Sequence, residues 1–355
     1  MSLELKIATR KSQLAVWQAT CTQEMLKKLG IQASLYPVVT TGDQMQNTLL
    51  SHLHLEKQGG PLFTTGKGLF IKEIQEALFS NVAHIAVHSM KDLPVAQTRG
   101  LNVVSLLPRA GVRDVFVLSP RVMKEAGLAT WSEEEKRNCP FDVLQKKLLG
   151  SSFFRKGAIG TSSARRQMHV RRHFKDSLNL QILRGNVDTR LQKVRSNEFS
   201  AIILAEAGLE RLGFLDSSDI FPLPISIFIP ATAQGCIAIE ICEAQHEALL
   251  KPIQKLNCVE TCIQVALERL ALFLLEGDCH CPIGVHFREK ELLMISGRKN
   301  ILETQYAFAQ DELRHVYNLF KENNFIYSYF FENLCSSALA ITIKKHLAAQ
   351  GFLTS

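Results

Sequence analysis

Ile85-Ala86-Val87 runs directly into His88-Ser89-Met90-Lys91-Asp92-Leu93-Pro94, so a short apolar strand delivers one carboxylate, Asp92, at its end. In open α/β sheets that is where ligands sit. Pro94 keeps Leu93 extended, so the chain leaves the strand along a restricted path and Asp92 is fixed rather than floppy. A fixed carboxylate at a strand end suits a bound cation. Alone, the stretch says little, because an Asp in such a turn often does no more than cap or solvate a loop.

Working outward, the N-terminus alternates as a strand at Leu3, Leu5 and Ile7. Ser12 then caps a helix whose apolar face is Leu14, Trp17, Cys21, Met25 and Leu29, closed by Gly30. A strand over Ala33 to Val39 leads to the polar turn Thr40-Thr41-Gly42-Asp43; Ser51 to Gly68, rich in Gly and His, reads as a mobile loop before a helix from Leu69 to Phe79. From Val115 the pattern restarts, with strands at Val115 to Leu118, Ala158-Ile159, Leu180 to Leu183 and Ala201 to Leu204. Helices from Ser163 and from Val187 lie between them. Such alternation implies two doubly wound α/β domains. Further on, an amphipathic helix from Thr261 to Leu275 delivers Gly277-Asp278-Cys279. Strand-like Val285 to Phe287 and Leu292 to Ile295 and a closing helix at Ser337 to Leu347 make a small α+β C-terminal domain. Residues 120 to 156, with Glu133-Glu134-Glu135 and Cys139-Pro140, read as a solvated insertion, since surface loops absorb extra length readily.

A chain of 355 residues is too long for one ordinary core. At 46% hydrophobic and 21% charged residues it has the composition of a soluble globular protein. The most apolar stretch, Pro224 to Ile241, is broken by Pro230, Gln234 and Gly235, so no membrane span is expected. The N-terminus has no basic region followed by an apolar signal segment, and a cytoplasmic location is the expectation. Nine scattered cysteines lack the dense pattern of a disulfide framework. The net charge of +7 is modest, but eleven Lys or Arg between Arg155 and Arg195 face only Asp176 and Asp188. That one segment is more positive than the whole chain.

The opening motif is one of a series. Thr9-Arg10-Lys11-Ser12-Gln13-Leu14-Ala15, Gly160-Thr161-Ser162-Ser163-Ala164-Arg165-Arg166, Arg184-Gly185-Asn186-Val187-Asp188-Thr189-Arg190 and Leu275-Glu276-Gly277-Asp278-Cys279 accompany it in chain order. Together they resemble the porphobilinogen deaminase (hydroxymethylbilane synthase) family of tetrapyrrole biosynthesis, from about Leu5 to Val285. The resemblance implies two periplasmic-binding-protein-like domains around a cleft, 1–110 with 235–253 and 111–234, and a third domain, 254–355, bearing a cofactor cysteine. It implies a monomeric transferase that condenses four porphobilinogen units head to tail with release of ammonia.

It further implies roles for single residues. Asp92 is the catalytic carboxylate, and Cys279 holds a dipyrromethane primer through a thioether. Arg10, Arg165, Arg166, Arg184, Arg190 and Arg211 match positions that bind carboxylate arms of substrate or cofactor. Ser12, Lys67, Phe70, Ser89, Lys91, Thr161, Ser162, Ser163, Gly185, Asn186 and Gln234 belong to the same binding set. The chemistry agrees. Porphobilinogen carries acetate and propionate arms, so a growing pyrrole chain is a polyanion, and arginine meets carboxylates with paired hydrogen bonds without losing its proton. Hydroxyls at helix starts, Ser12 and Thr161 to Ser163, add backbone N–H groups that favour anions. Loss of ammonia leaves an azafulvenium-like cation that one carboxylate can stabilise. Phe70 suits stacking on a pyrrole, and a thiolate is a strong nucleophile toward an azafulvene carbon.

The sequence also departs from the family pattern. Asp278 replaces a second Gly beside Cys279, Ala233 replaces the first Gly of a Gly-Gln-Gly run, Ala164 replaces a leucine, and Asp188 sets a negative charge between Arg184 and Arg190. Cys281, two residues beyond Cys279, is a second thiol able to compete for the primer. Two rival readings stand beside the enzyme. Cys258, Cys262, Cys279, His280 and Cys281 offer soft metal ligands but no paired Cys-x-x-Cys knuckles. A two-lobed binding module, a non-catalytic anion-binding paralogue, shares the fold plan. Nucleic acid is a poor fit as partner, since only Phe174 interleaves with the basic residues between Arg155 and Arg195.

Overall fold

A computed structural model of the chain describes residues 4–40, 71–174, 178–278, 280–298, 300–324 and 326–353. Its strands are β1 (Leu5–Arg10), β2 (Ala33–Val38), β3 (Ile85–Ser89), β4 (Leu101–Leu106), β5 (Asp114–Leu118), β6 (Ala158–Gly160), β7 (Asn179–Gln181), β8 (Ala201–Ala205), β9 (Ile220–Pro222), β10 (Ile237–Cys242), β11 (Ile283–Arg288), β12 (Glu291–Ser296) and β13 (Leu302–Ala307). The fold is mixed α/β. Contacts divide the chain into two compact units: Met1–Pro108 with Cys236–Cys262 and Leu319–Glu332, and Arg109–Gly235 with Ile263–Asn318 and Asn333–Ser355. The stretch expected as a third domain is shared between the two.

In the first unit the sheet order is β2-β1-β3-β10-β4, with β1 parallel to β2 and β3, and β10 antiparallel to both β3 and β4. Leu5, Ile7, Ile85, Val87, Ile237, Ile239 and Ile241 form its core. The helix Gln13–Lys28 starts as expected, with the Ser12 hydroxyl accepting from the Ala15 N–H at 3.4 Å. Its buried face is different. Gln18, Ala19, Thr22 and Leu26 are inside, whereas Trp17 and Leu29 are about two-fifths exposed, at 39% and 40%. The stripe expected from apolar spacing is thus rotated by one residue. Small and polar side chains win the inner face because they bond inward: Gln18 reaches Ser89 at 2.9 Å, and the Thr22 hydroxyl donates back to the Gln18 carbonyl at 3.0 Å.

β4 is an outer strand of that sheet, and side chains satisfy its free backbone groups. Asn257 accepts from the Leu106 N–H at 2.8 Å and donates to the Val104 carbonyl at 3.1 Å, and Ser328 bonds both the N–H and the carbonyl of Val103, at 2.7 and 3.1 Å. An edge closed in this way resists pairing with another chain. Ile326, from a C-terminal region that the family resemblance does not reach, enters the same core.

The second unit repeats the plan in β7-β6-β8-β5-β9, where β6 is parallel to β7 and β8, and β5 is antiparallel to β8 and β9. A three-stranded antiparallel sheet, β11-β12-β13, belongs to it as well. Residues 120–156 overturn the expectation of a solvated insertion. They form helices Pro120–Glu125, Glu133–Arg137, Phe141–Gly150 and Ser152–Lys156. Val122, Met123, Leu128, Leu144, Leu148 and Phe154 are buried in one core with Phe116, Phe174, Phe221 and Phe228. The cause is amphipathic patterning, started by serine caps at Ser119, Ser132 and Ser151 and by a complete capping box between Ser132 and Glu135.

Candidate active site

In the first unit β3 ends at Ser89, and a single 3-10 turn, Met90–Asp92, follows. The Met90 N–H donates to the Cys236 carbonyl at 3.0 Å, and Leu93 is extended at φ −73°, ψ 136° before Pro94. Asp92 is thereby held at the surface by backbone geometry on both sides. It borders a concavity whose polar lining is Arg10, Ser12, Gln18, His88, Ser89 and Asp92. Leu14, Ile71, Ile74 and Val87 supply apolar wall. The helix Gln13–Lys28 begins there, so its first N–H groups and positive dipole end stand beside Arg10. Four of the expected residues, Arg10, Ser12, Ser89 and Asp92, are brought together, with Lys91 half-buried in the same turn. Lys67 and Phe70, like the expected mobile loop at 51–68, lie outside the described residues.

The second unit sorts the arginines by partner. Arg165 forms an ion pair with Asp114 at 2.6 Å and donates to the Ile229 carbonyl at 2.7 Å. Arg166 directs two N–H groups to the same carboxylate, at 3.0 and 2.9 Å, and a third to the Ile203 carbonyl at 2.9 Å. Asp114 is fully buried; burial alone would raise its carboxyl, but the two guanidinium groups prevail and hold it well below the usual range. Gln234, also buried, donates to Asp114 at 3.1 Å and to the Val112 carbonyl at 2.7 Å. Arg211 donates to the Gly235 carbonyl at 2.7 Å. Arg165, Arg166, Gln234 and Arg211 each thus direct at least one N–H to a group of their own unit.

Arg190 carries a different set of partners. Its Nε donates to the Gly185 carbonyl at 2.7 Å, and among the described residues no carboxylate pairs with it. Burial, and then the neighbouring Arg166 guanidinium, lower it to about 10. A half-buried cation beside another cation is a place where an anion is stabilised. Arg184 is exposed nearby in the chain, Gly185 adopts φ +108°, and Asn186 opens the helix Val187–Arg195 without spending its side chain on a cap bond. Asp188 is exposed. At the start of the helix Ala164–Phe174, Thr161 accepts from the Ser163 N–H at 3.2 Å and Ser163 from the Arg166 N–H at 3.4 Å, while Ser162 is exposed.

Cys279 lies outside the described residues, but the chain on either side of it is defined. Arg298 donates to the carbonyls of Leu275 at 2.6 Å and Glu276 at 2.5 Å, and its guanidinium reaches the Cys281 sulfur at 3.4 Å. Asp278 accepts from the His280 N–H at 2.9 Å, so its carboxylate closes a local turn. A Cβ on Gly277 would come within 2.5 Å of Leu272 Cδ1 and 2.8 Å of Ile283 Cδ1, so a larger residue there would need both side-chain ends to shift. Ala233 sits at φ +60°, with its N–H donating at 2.7 Å to the buried carboxylate of Glu268. Glu268 also takes a bidentate pair from Arg109 at 2.8 and 2.9 Å and contacts His286 at 3.0 Å. Burial would raise Glu268, yet Arg109 and His286 hold it at about 2.

Residues 5–250 match the family model described as porphobilinogen deaminase, dipyrromethane cofactor-binding domain. A curated porphobilinogen deaminase from Campylobacter curvus (strain 525.92) is 38% identical over 287 residues, covering 80% of this chain and 79% of that protein. The chain belongs to the porphobilinogen deaminase family. Solved structures similar to this member of the porphobilinogen deaminase family include an ancestral cationic amino acid solute-binding protein, 11% identical with a TM-score of 0.39, covering 71% of this chain and 87% of that one. Another is the VFT2 domain of Bordetella pertussis BvgS, 14% identical with a TM-score of 0.37, covering 71% and 86%. Overlap that slight decides nothing about this family member.

Among the described residues no helix is long and apolar enough to cross a membrane, and no group of three or more His, Cys, Asp or Glu side chains is arranged to hold a metal ion. Sequence reasoning gave no role to Asp114 and Glu268, the buried carboxylates that partner Arg165, Arg166 and Arg109. A lone acidic residue inside an apolar strand or helix was the available signal, as in Ile237-Ala238-Ile239-Glu240-Ile241 and Asp114-Val115-Phe116-Val117. A charge in such a run needs a buried partner.

Proposed function

We propose that this chain is a porphobilinogen deaminase, or hydroxymethylbilane synthase, joining four porphobilinogen units head to tail with release of ammonia. The observation that carries the reading is the family match across residues 5–250. The dipyrromethane fits the donor set of this chain, because Arg190 is a half-buried cation with no carboxylate partner among the described residues and the group is rich in carboxylates. Cys279 would hold it by a thioether, with Arg184, Arg190 and Asn186 meeting its acidic arms. When bound, the group supplies an anchored pyrrole as the acceptor for incoming units.

Asp92 offsets the positive charge that develops on the substrate pyrrole as ammonia leaves. Its position at the rim of the concavity sets it where a bound pyrrole N–H can reach it. Arg10, Ser12 and the helix start beside them bind the substrate's carboxylate arms, with Ser89 and Lys91 next to Asp92 in the chain. Arg165, Arg166 and Gln234 clamp Asp114, which keeps Thr161 to Ser163 and the helix start in place. Arg211 holds the turn at Gly235. In this reading the protein acts in the cytoplasm as a monomer on a small molecule, with neither nucleic acid nor membrane as partner.

Intact-protein mass spectrometry tests the reading. The active protein weighs more than the bare chain by two deaminated porphobilinogen units, mapped to the peptide containing Cys279. A chain of bare mass that stays inert with porphobilinogen overturns it.

A further inference from the structure

Among the described residues, three titratable side chains line the concavity of the first unit: Arg10, His88 and Asp92. Arg10 is a permanent cation. Asp92, on the reading above, must remain ionised to offset positive charge, and a carboxylate that accepts a proton gives that up. Joining two pyrroles nevertheless expels a proton. The carbon–carbon bond forms, the ring carbon keeps its hydrogen as a cation, and the C–H bond must then break, its electron pair returning to the ring.

His88 is built to receive that proton. Its Nε2 lies 3.1 Å from Oε2 of Glu240 on β10, and both residues are buried, at 6% and 4% exposure. Glu240 has no Lys or Arg partner among the described residues; its oxygens otherwise accept from Gln75 Nε2 at 3.0 and 3.2 Å, and Gln75 in turn accepts from the Thr98 hydroxyl at 3.1 Å. A carboxylate in that position fixes the ring with its proton on Nε2 and partners the imidazolium once a second proton arrives. Nδ1 is left as the ring nitrogen with no hydrogen bond among the described residues. We propose that His88, oriented by Glu240, is the proton acceptor in each condensation, taking the ring-carbon proton on Nδ1 and releasing it to solvent or to the departing ammonia.

The inference rests on the deaminase reading, and the experiment separates the two. His88→Gln keeps an N–H donor for Glu240 while removing the basic nitrogen. In the holoenzyme, H88Q is expected to lower kcat about 10²-fold with KM within about twofold. Porphobilinogen deuterated at its free α-carbon is expected to show a larger isotope effect with H88Q than with wild type. ¹⁵N NMR of histidine-labelled protein should show the Nε2–H tautomer of His88, lost in Glu240→Gln. An active wild type matched by H88Q within twofold, or a loss in H88Q with an unchanged isotope effect, overturns the role of His88 alone. A wild type inert toward porphobilinogen overturns the deaminase reading and this one together.

Discussion

At the scale of single residues, cations of one basic segment differ in whether a buried carboxylate partners them. Arg166 pairs with a buried carboxylate and Arg190 pairs with none among the described residues, although both stand in the same basic segment. Arg166→Met should therefore destabilise by roughly 3–5 kcal/mol in urea titration, because Asp114 loses half its compensation. Arg190→Met should leave stability within about 0.5 kcal/mol. Its KM for porphobilinogen should instead rise about tenfold to a hundredfold, matching the loss of a charged hydrogen bond of ~1.5–3 kcal/mol. For Asp92→Asn, steady-state assays should show turnover falling on the order of 10²–10⁴-fold, with circular dichroism unchanged. The sequence placed Asp92 correctly at the end of β3 because strand end, 3-10 turn and Pro94 are all local. It could not distinguish Arg166 from Arg190, since the distinction depends on Asp114, 52 residues from Arg166.

At the scale of elements, starts and ends were more legible than faces. Ser12 capping the first helix, and Ser337 capping the helix Ala338–Ala349, follow from short-range chemistry. The inner face of the helix Gln13–Lys28 does not, because Gln18 turns inward for a hydroxyl on Ser89, 71 residues away. The insertion shows the same limit. Its Ser132-to-Glu135 capping box was written in the sequence, but Glu133-Glu134-Glu135 reads as a solvated charge run until the core formed with Phe116 and Phe228 is seen. The turn Ala233-Gln234-Gly235 offers a test at this level. Ala233 carries a Cβ at φ +60°, fully buried, so Ala233→Gly should raise thermal stability by about 0.4–1 kcal/mol through relief of left-handed strain. A lower melting temperature in that variant would show that the Ala233 methyl contributes more by packing than it loses by strain.

At the scale of the whole molecule, stability should fall on acidification in two overlapping windows. Burial, with Arg165 adding to it, pushes His169 down to about 3 from an ordinary 6.5, so the unfolded chain takes up its proton first and stability is lost as pH falls from 6.5 toward 3. Glu268, held at about 2 against an ordinary 4.5, contributes stability above pH 4.5 that is lost as pH falls toward 2. Each group removes up to about 1.4 kcal/mol per pH unit within its window. Urea midpoints measured from about pH 8 down to about pH 2 should slope accordingly, and His169→Gln should flatten the upper window while leaving the lower one. By itself the sequence determined the α/β class, the family and the place of Asp92 after its strand, because periodicity, caps and motif spacing are properties of neighbouring residues. The tertiary structure alone decided which arginines are committed to Asp114, which helix face is buried, and that His88 stands against Glu240. Each of those depends on groups far apart in the chain meeting where water is excluded, and there a charge or donor must have its partner at hand.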